Sequence, residues 1–251
     1  MGLCKLCGEE RVLVRSHIIP IAFHRHMQCD STVAPVVVGS ASDSYPMRRP
    51  GGLYDEELLC DPCEQRFGPW DQYGAECLLQ GFERDAQRMA HNGETLAYQI
   101  DDWDQEKIRM FALSLLWRAA ATTNPVFRRV TLGPYEERLR QLIVAGVPDS
   151  PDNFSVLLCR WHARPENEKM ALTQKSPYSW KLEGINMSKL FLGGFVFYIK
   201  SDQRAFTHPF PEIMLSLGQP VYAIAQELED SKDILAMRPA LERYAAFLNR
   251  R

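Results

Sequence analysis

The sequence predicts an α+β fold in which a small cysteine-anchored module precedes a helical segment and then an antiparallel sheet. Three observations carry this. Two Cys-x-x-Cys pairs, Cys4/Cys7 and Cys60/Cys63, stand at opposite ends of the N-terminal region. Between residues 106 and 145, apolar side chains recur at three- and four-residue spacing, as on a buried helix face. Beyond residue 154, short runs rich in Val, Leu, Ile, Phe and Trp are separated by Pro, Gly, Asn and Asp. The resulting division is a metal module over residues 1–75 and an α+β body over 76–251, helical to about 146 and then mainly strands.

Taken in order, Val12 to Ile19 alternates as a strand does, and Pro20 ends it. From Asp30 to Gly52 the residues are small and turn-forming, which predicts an exposed excursion with a short strand at Val36 to Val38. A helix is expected to start near Cys63, pause at Gly68-Pro69, restart with Pro69 in its first turn and run to about Met89. Glu106 to Ala121 has Ile108, Phe111, Ala112, Leu115 and Ala119 on one helical stripe, and a further helix follows Pro134 through Glu136 to Ala145. Strands are expected at Phe154 to Trp161, Glu168 to Thr173, Leu190 to Ile199 and Arg204 to Thr207, with a closing helix from about Ser231 to Arg250.

The 251 residues are 45% hydrophobic and 24% charged, an ordinary globular composition. The longest apolar runs, such as Leu190 to Ile199, fall well short of the roughly 20 residues that span a bilayer. No membrane association is expected. Lys and Arg total 29 against 32 Asp and Glu, a net charge of −3 that counts against a purely electrostatic nucleic-acid binder. The N-terminal residues show no secretion signal, and four of the seven cysteines fall in two pairs. That usage predicts metal ligation in a reducing cytoplasm rather than disulfides. Cys77 and Cys159 lie in apolar runs and read as buried thiols, while Cys29 has no ligand spacing.

A closed structural Zn²⁺ site needs four tetrahedral thiolate or imidazole ligands, and each Cys-x-x-Cys turn presents two thiolates to one ion. Cys4-Lys5-Leu6-Cys7 is followed by Gly8, as a tight knuckle requires, and Cys60-Asp61-Pro62-Cys63 leads into a helix. A knuckle at one end and a ligated helix start at the other form the treble-clef plan. The 52 residues between the pairs are absorbed by the glycine- and proline-rich excursion. A thioredoxin-like redox role is disfavoured, because neither pair sits in a βαβ pattern.

Between the pairs lies Ser16-His17-Ile18-Ile19-Pro20, and around the second pair Leu58-Leu59-Cys60-Asp61-Pro62-Cys63-Glu64-Gln65-Arg66-Phe67. Over residues 4 to 71 this combination resembles the HNH endonucleases, ββα-metal nucleases on a treble-clef zinc scaffold, and within them an uncharacterised bacterial group. The resemblance implies hydrolysis of phosphodiester bonds, most naturally in DNA. His17 would be the general base and one divalent cation, Mg²⁺ or Mn²⁺, would stabilise the developing charge. Ser16 stands where the family usually has a ligating Asp or His, and Asp55, Glu56 or Glu57 occupies the stretch of its middle asparagine. Glu64 follows the last cysteine where the family commonly places Asn or His, so its carboxylate becomes the candidate metal ligand, with Asp71 two turns on. Arg15, Arg48, Arg49 and Arg66 are the candidate phosphate contacts, the Arg48-Arg49 pair on the excursion foremost.

Blander readings stand beside these. His17 also suits a strand end that supports the knuckle, and Glu64 suits a helix N-terminus, where a negative charge is favoured. Residues 1 to 71 carry ten acidic residues against seven basic ones. A catalytically silent zinc module acting in nucleic-acid binding or protein assembly is therefore the alternative, with the body as the surface that positions nucleic acid or docks a protein partner. Trp117-Arg118 reads as a buried tryptophan beside a snorkelling arginine. His162 reads as a structural strand-end histidine.

Overall fold

The computed structural model describes residues 1–26, 36–38, 47–49, 51–150, 152–165, 171–206, 210–215, 220–229, 231–233 and 235. Its architecture is mixed α and β, with a large sheet that is antiparallel at every neighbouring pair but one and a cluster of four cysteines drawn from the N-terminal region.

Strands β1 (Gly2–Leu3) and β2 (Glu10–Arg11) pair antiparallel and bracket the first cysteine pair. Strand β3 (Leu13–His17) pairs antiparallel with β6 (Tyr54–Cys60), Leu13 opposite Cys60 and His17 opposite Tyr54, with a register shift between Val14 and Ser16. Between them come helix α1 (Ile21–His26), β4 (Val36–Val38) and β5 (Met47–Arg48). The strand expected at Val36 to Val38 is present, pairing with β5 and with β10 (Gln174–Lys175). Helix α2 (Asp61–Gln65) begins directly after Cys60, with Pro62 in its first turn, where the missing N–H is no loss.

Helix α3 (Gly68–Ala75) continues through a π-helical stretch, Glu76–Gly81, into α4 (Phe82–Asp85). The helix expected to reach Met89 therefore stops at Asp85, because Ala86 turns extended and begins a hairpin instead. Its strands are β7 (Gln87–His91) and β8 (Glu94–Ile100), joined at Asn92-Gly93 with φ of 51° and 86°. An Asn-Gly pair is the commonest type I′ hairpin turn, a signal that the helical reading of the flanking residues had masked.

Helix α5 (Gln105–Ala121) is capped by the Asp104 side chain accepting from the Lys107 N–H and is buried on nearly every face, so it forms the centre of the molecule. Helix α6 (Tyr135–Ala145) ends at Gly146, whose φ of 75° makes the left-handed cap that glycine tolerates. The seven-stranded sheet follows the order β11–β12–β13–β9–β14–β8–β7, where β9 is Val156–His162, β11 Tyr178–Leu182, β12 Ile185–Leu192, β13 Phe195–Lys200 and β14 Val221–Glu227. Within this sheet, as described, β9 and β14 are the one neighbouring pair that runs parallel.

Residues alternate between the two faces of this sheet. Val156, Leu158, Phe195, Phe197 and Ile199 join the core that contains α5, while Leu157, Cys159, Trp161 and Val196 form a second cluster. Because both faces are apolar, the alternation is hidden in the sequence. The single strand expected from Leu190 to Ile199 is two strands, broken by Gly193-Gly194 at φ of 55° and 88°, a turn whose conformations favour glycine. Arg204 to Phe206 is not a strand. Arg204 is held in a loop by the Asp202 carboxylate and donates to the Gly184 carbonyl. The expected strand at Glu168 to Thr173 and the closing helix from Ser231 lie largely outside the described residues. Cys77 and Cys159 are buried thiols, as their apolar surroundings predict.

Two packing contacts fix the helices that frame the site. A Cβ at Gly74 would fall 2.6 to 2.7 Å from three ring atoms of Phe111, so α3 approaches α5 at a distance only glycine allows. Phe111 in turn stacks on Phe23 with centroids 5.7 Å apart. Among the described residues no helix is long and apolar enough to cross a membrane.

Candidate metal centre and histidine site

The first cysteine pair sits in the tight turn between β1 and β2. Gly8 donates to the Cys4 carbonyl at 2.9 Å and adopts φ of 75°, the conformation expected of the residue after a knuckle. The second pair straddles the junction of β6 and α2, and the Cys60 N–H points at Cys4 Sγ, 3.4 Å away. The four Sγ atoms all lie within 4.8 Å of one another, and Cys7 and Cys60 are 4.0 Å apart. Four thiolates about 2.3 Å from one zinc would stand roughly 3.8 Å apart along the edges of the tetrahedron, so the donor set can hold such an ion with little movement. Cys4, Cys60 and Cys63 are buried, Cys7 exposed. Among the described residues this is the one cluster of three or more metal-ligating side chains.

His17 ends β3, beside this centre. Its ring meets the Tyr54 ring edge-on, centroids 6.3 Å apart, and Nε2 is buried without a hydrogen-bond partner. Burial lowers the His17 pKa below its ordinary value, and the charges of Arg15, Arg118 and His24 add to the effect. Gly52, at φ of 80°, lies against both His17 and His24, where a Cβ would touch their rings at 3.5 and 3.6 Å.

Glu64 meets the same strand. Its Oε1 accepts from the His17 N–H at 3.4 Å, and Ser16 contributes a side-chain hydrogen bond. Its Oε2 is buried and has no partner. Burial raises the Glu64 pKa and outweighs the opposing pull of Arg118 and of these hydrogen bonds. One site thus presents two polar atoms, His17 Nε2 and Glu64 Oε2, that the protein leaves unsatisfied.

Asp71, a candidate metal ligand from its spacing, instead gives both carboxylate oxygens to Arg118. The guanidinium donates through Nη1 to Asp71 Oδ2 at 2.9 Å and through Nη2 to Oδ1 at 2.6 Å. The same Nη1 donates to the His17 carbonyl at 2.9 Å. Arg118 is fully buried, where a snorkelling side chain was expected, and lies over the Phe67 ring. Trp117 beside it is buried as expected. The available signal was a lone arginine inside the apolar stretch from Phe111 to Ala121.

Asp55 ties the neighbouring strand to the same helix: its Oδ2 accepts from Thr122 Oγ1 at 2.5 Å and the Thr123 N–H at 2.9 Å. Arg140, on α6, donates to the Leu6 carbonyl within the knuckle.

The basic candidates occupy varied settings. Arg15 lies over the Tyr54 ring, 3.6 Å from its centroid, and donates to the Gly51 carbonyl at 3.1 Å. Arg66 is exposed, and Arg49 is half-buried. Arg48 belongs to β5, its backbone opposite Val36. Arg49, Tyr54, Glu56, Glu57 and Asn124 line an open groove of about 430 Å³. His162, exposed at the end of β9, bonds to Glu227 of β14 at 3.0 Å. Comparison with family models, with curated proteins and with solved structures gave no match.

Proposed function

We propose that this chain is a metal-dependent nuclease of the HNH type, hydrolysing phosphodiester bonds of nucleic acid, most naturally DNA, with His17 as general base. The observation that carries the proposal is the pair of buried, unpartnered atoms, His17 Nε2 and Glu64 Oε2, on residues joined by one hydrogen bond. Leaving a buried polar atom unsatisfied costs about 1–3 kcal/mol, and such atoms concentrate where a substrate, water or ion completes them. The order of the surrounding elements supports a treble-clef scaffold: a knuckle between β1 and β2, the β3–β6 pair, then α2 on the second cysteine pair. Zinc is the ion that four thiolates in such a setting would hold.

The chemistry follows from the tautomer. With its own proton on Nδ1, the neutral imidazole takes a proton from water at the unpartnered Nε2 as that oxygen bonds to phosphorus and the ester P–O bond breaks. A lowered pKa keeps the ring in its proton-accepting form near neutral pH. A divalent cation at Glu64, Mg²⁺ or Mn²⁺, would supply charge stabilisation to the phosphate and the leaving oxygen. Arg49, which lines the groove, and Arg66, exposed on the surface, would contact phosphates.

A catalytically silent zinc module used in nucleic-acid binding or protein assembly is the second reading. It is favoured by one fact: among the described residues no third ligating side chain gathers at Glu64. Incubating the protein with plasmid, single-stranded DNA and RNA across Mg²⁺, Mn²⁺, Ni²⁺ and Zn²⁺ separates the two. Cleavage that needs added metal and falls about 10²- to 10⁴-fold in His17→Ala is expected. If no substrate is cut with any metal, the silent reading stands in its place.

A further inference from the structure

The body of the protein touches the candidate site at one buried side chain, Arg118 of α5. Its guanidinium has no exposed surface, yet it makes no contact with another acidic residue than Asp71 among its hydrogen bonds. Its remaining bonds return to its own helix: Nη2 donates to Ser114 Oγ at 3.2 Å and Nε to the Ser114 carbonyl at 3.3 Å. The fork therefore joins three elements at once. It locks α5 to α3 through Asp71 and holds the last residue of β3 by the His17 carbonyl.

We propose that Arg118 is the positioning residue of the site: it fixes the backbone of His17, and through it the ring, relative to α2 and α3. The inference rests on the nuclease reading for its catalytic consequence, but its structural half stands apart from it. Three facts make the carbonyl contact more than packing. The His17 N–H is held by Glu64 while its carbonyl is held by Arg118, so both polar groups of that peptide position are pinned by side chains from other elements. The ring itself meets the Tyr54 ring edge-on, centroids 6.3 Å apart, and Tyr54 is the β6 residue opposite His17, so the ring's place follows from that of its backbone. Finally, only an arginine fork can bond a carboxylate bidentately and reach a carbonyl as well; a lysine ammonium is a point charge on a flexible stem.

A merely structural ion pair predicts something different. Replacing a buried pair by apolar residues of similar volume is often neutral or stabilising, because the desolvation of both charges is removed. Arg118→Met combined with Asp71→Leu should therefore keep the fold while releasing His17.

The test uses the full-length protein and reads bound zinc, thermal melting, cleavage kinetics and the ring-nitrogen resonances of His17, assigned by comparison with His17→Ala. The double variant is expected to retain zinc and melting temperature within a few degrees, to lose roughly 10- to 100-fold in kcat with KM little changed, as small misplacements of a reacting group do, and to show His17 resonances averaged between tautomers. Arg118→Lys, which keeps the charge opposite Asp71, is the control should the double variant not fold, and a partial loss of kcat with averaged resonances is expected of it. Wild-type kcat and an unchanged His17 tautomer in a folded variant would overturn the proposal. If wild-type protein cuts nothing, the nuclease reading fails by itself, and the tautomer readout still decides whether Arg118 holds the ring.

Discussion

Replacing Cys60 by serine should separate the metal module from the rest of the molecule. The four Sγ atoms stand within 4.8 Å of one another and Cys7 and Cys60 at 4.0 Å, close to the edge of about 3.8 Å that a Zn–S tetrahedron requires. The protein as purified is therefore expected to carry one zinc per chain. Structural zinc contributes about 10–16 kcal/mol to small modules at neutral pH, against a net stability of about 5–15 kcal/mol for a whole domain. Loss of one buried ligand thus outweighs everything the knuckle can contribute alone, because β1 and β2 pair over only two residues each. Cys60→Ser, or chelation of wild-type zinc, should leave the amides of residues 2–17 unprotected in hydrogen exchange. Those of β9 and β13 should stay protected, since their core is built against α5. Elemental analysis beside exchange makes the check. Zinc-free wild-type protein that melts at the same temperature as the loaded form would refute the reasoning.

Other perturbations follow from single contacts. Glu64→Gln should raise the Mn²⁺ concentration that half-activates cleavage while leaving bound zinc unchanged; superimposable activity curves would remove Glu64 from the ligand set. Gly74→Ala gains about 1 kcal/mol of helix propensity but forces three contacts of 2.6 to 2.7 Å against Phe111, whose ring is already packed between Phe23 and Phe197. Overpacking at the upper end, about 3 kcal/mol, leaves a net cost near 2 kcal/mol, or about 4–8 °C in Tm; an unchanged Tm in a thermal melt would show that α3 and α5 are further apart. Burial alone would raise the Asp55 pKa, but the hydrogen bonds from Thr122, from the Glu57 N–H and from Thr123 outweigh it, so the folded value lies below the ordinary one. The stability Asp55 contributes is then fully present above about pH 4 and lost as pH falls through the lowered value. Asp55→Asn should flatten that part of an acid-denaturation curve, and an unchanged slope would remove Asp55 from it.

What could be read from the sequence alone is what depends on neighbours in the chain. The two Cys-x-x-Cys turns, Gly8 behind the first and the helix start at the second are local features, set by backbone geometry within a few residues, and the four cysteines do gather into one cluster that could hold a metal ion. The helix around α5 was legible for the same reason: its apolar residues recur at helical spacing. The β7–β8 hairpin and the split at Gly193-Gly194 were local too, but their turn signals were hidden within apolar or helix-compatible runs. Strands buried on both faces lose the alternation that would announce them, which is why β12 and β13 merged into one and β14 was missed. The site could not be assembled from sequence, because its contacts join residues far apart in the chain. Arg118 bonds a carbonyl 101 positions away and a carboxylate 47 positions away, and Asp55 meets Thr122 across 67. Nor could burial be read for Arg118, since desolvating a charge is tolerable only when a partner arrives to meet it. The cysteines determined where a metal can sit; the packing of α5 against α3 and β3 decided which atoms stand bare beside it.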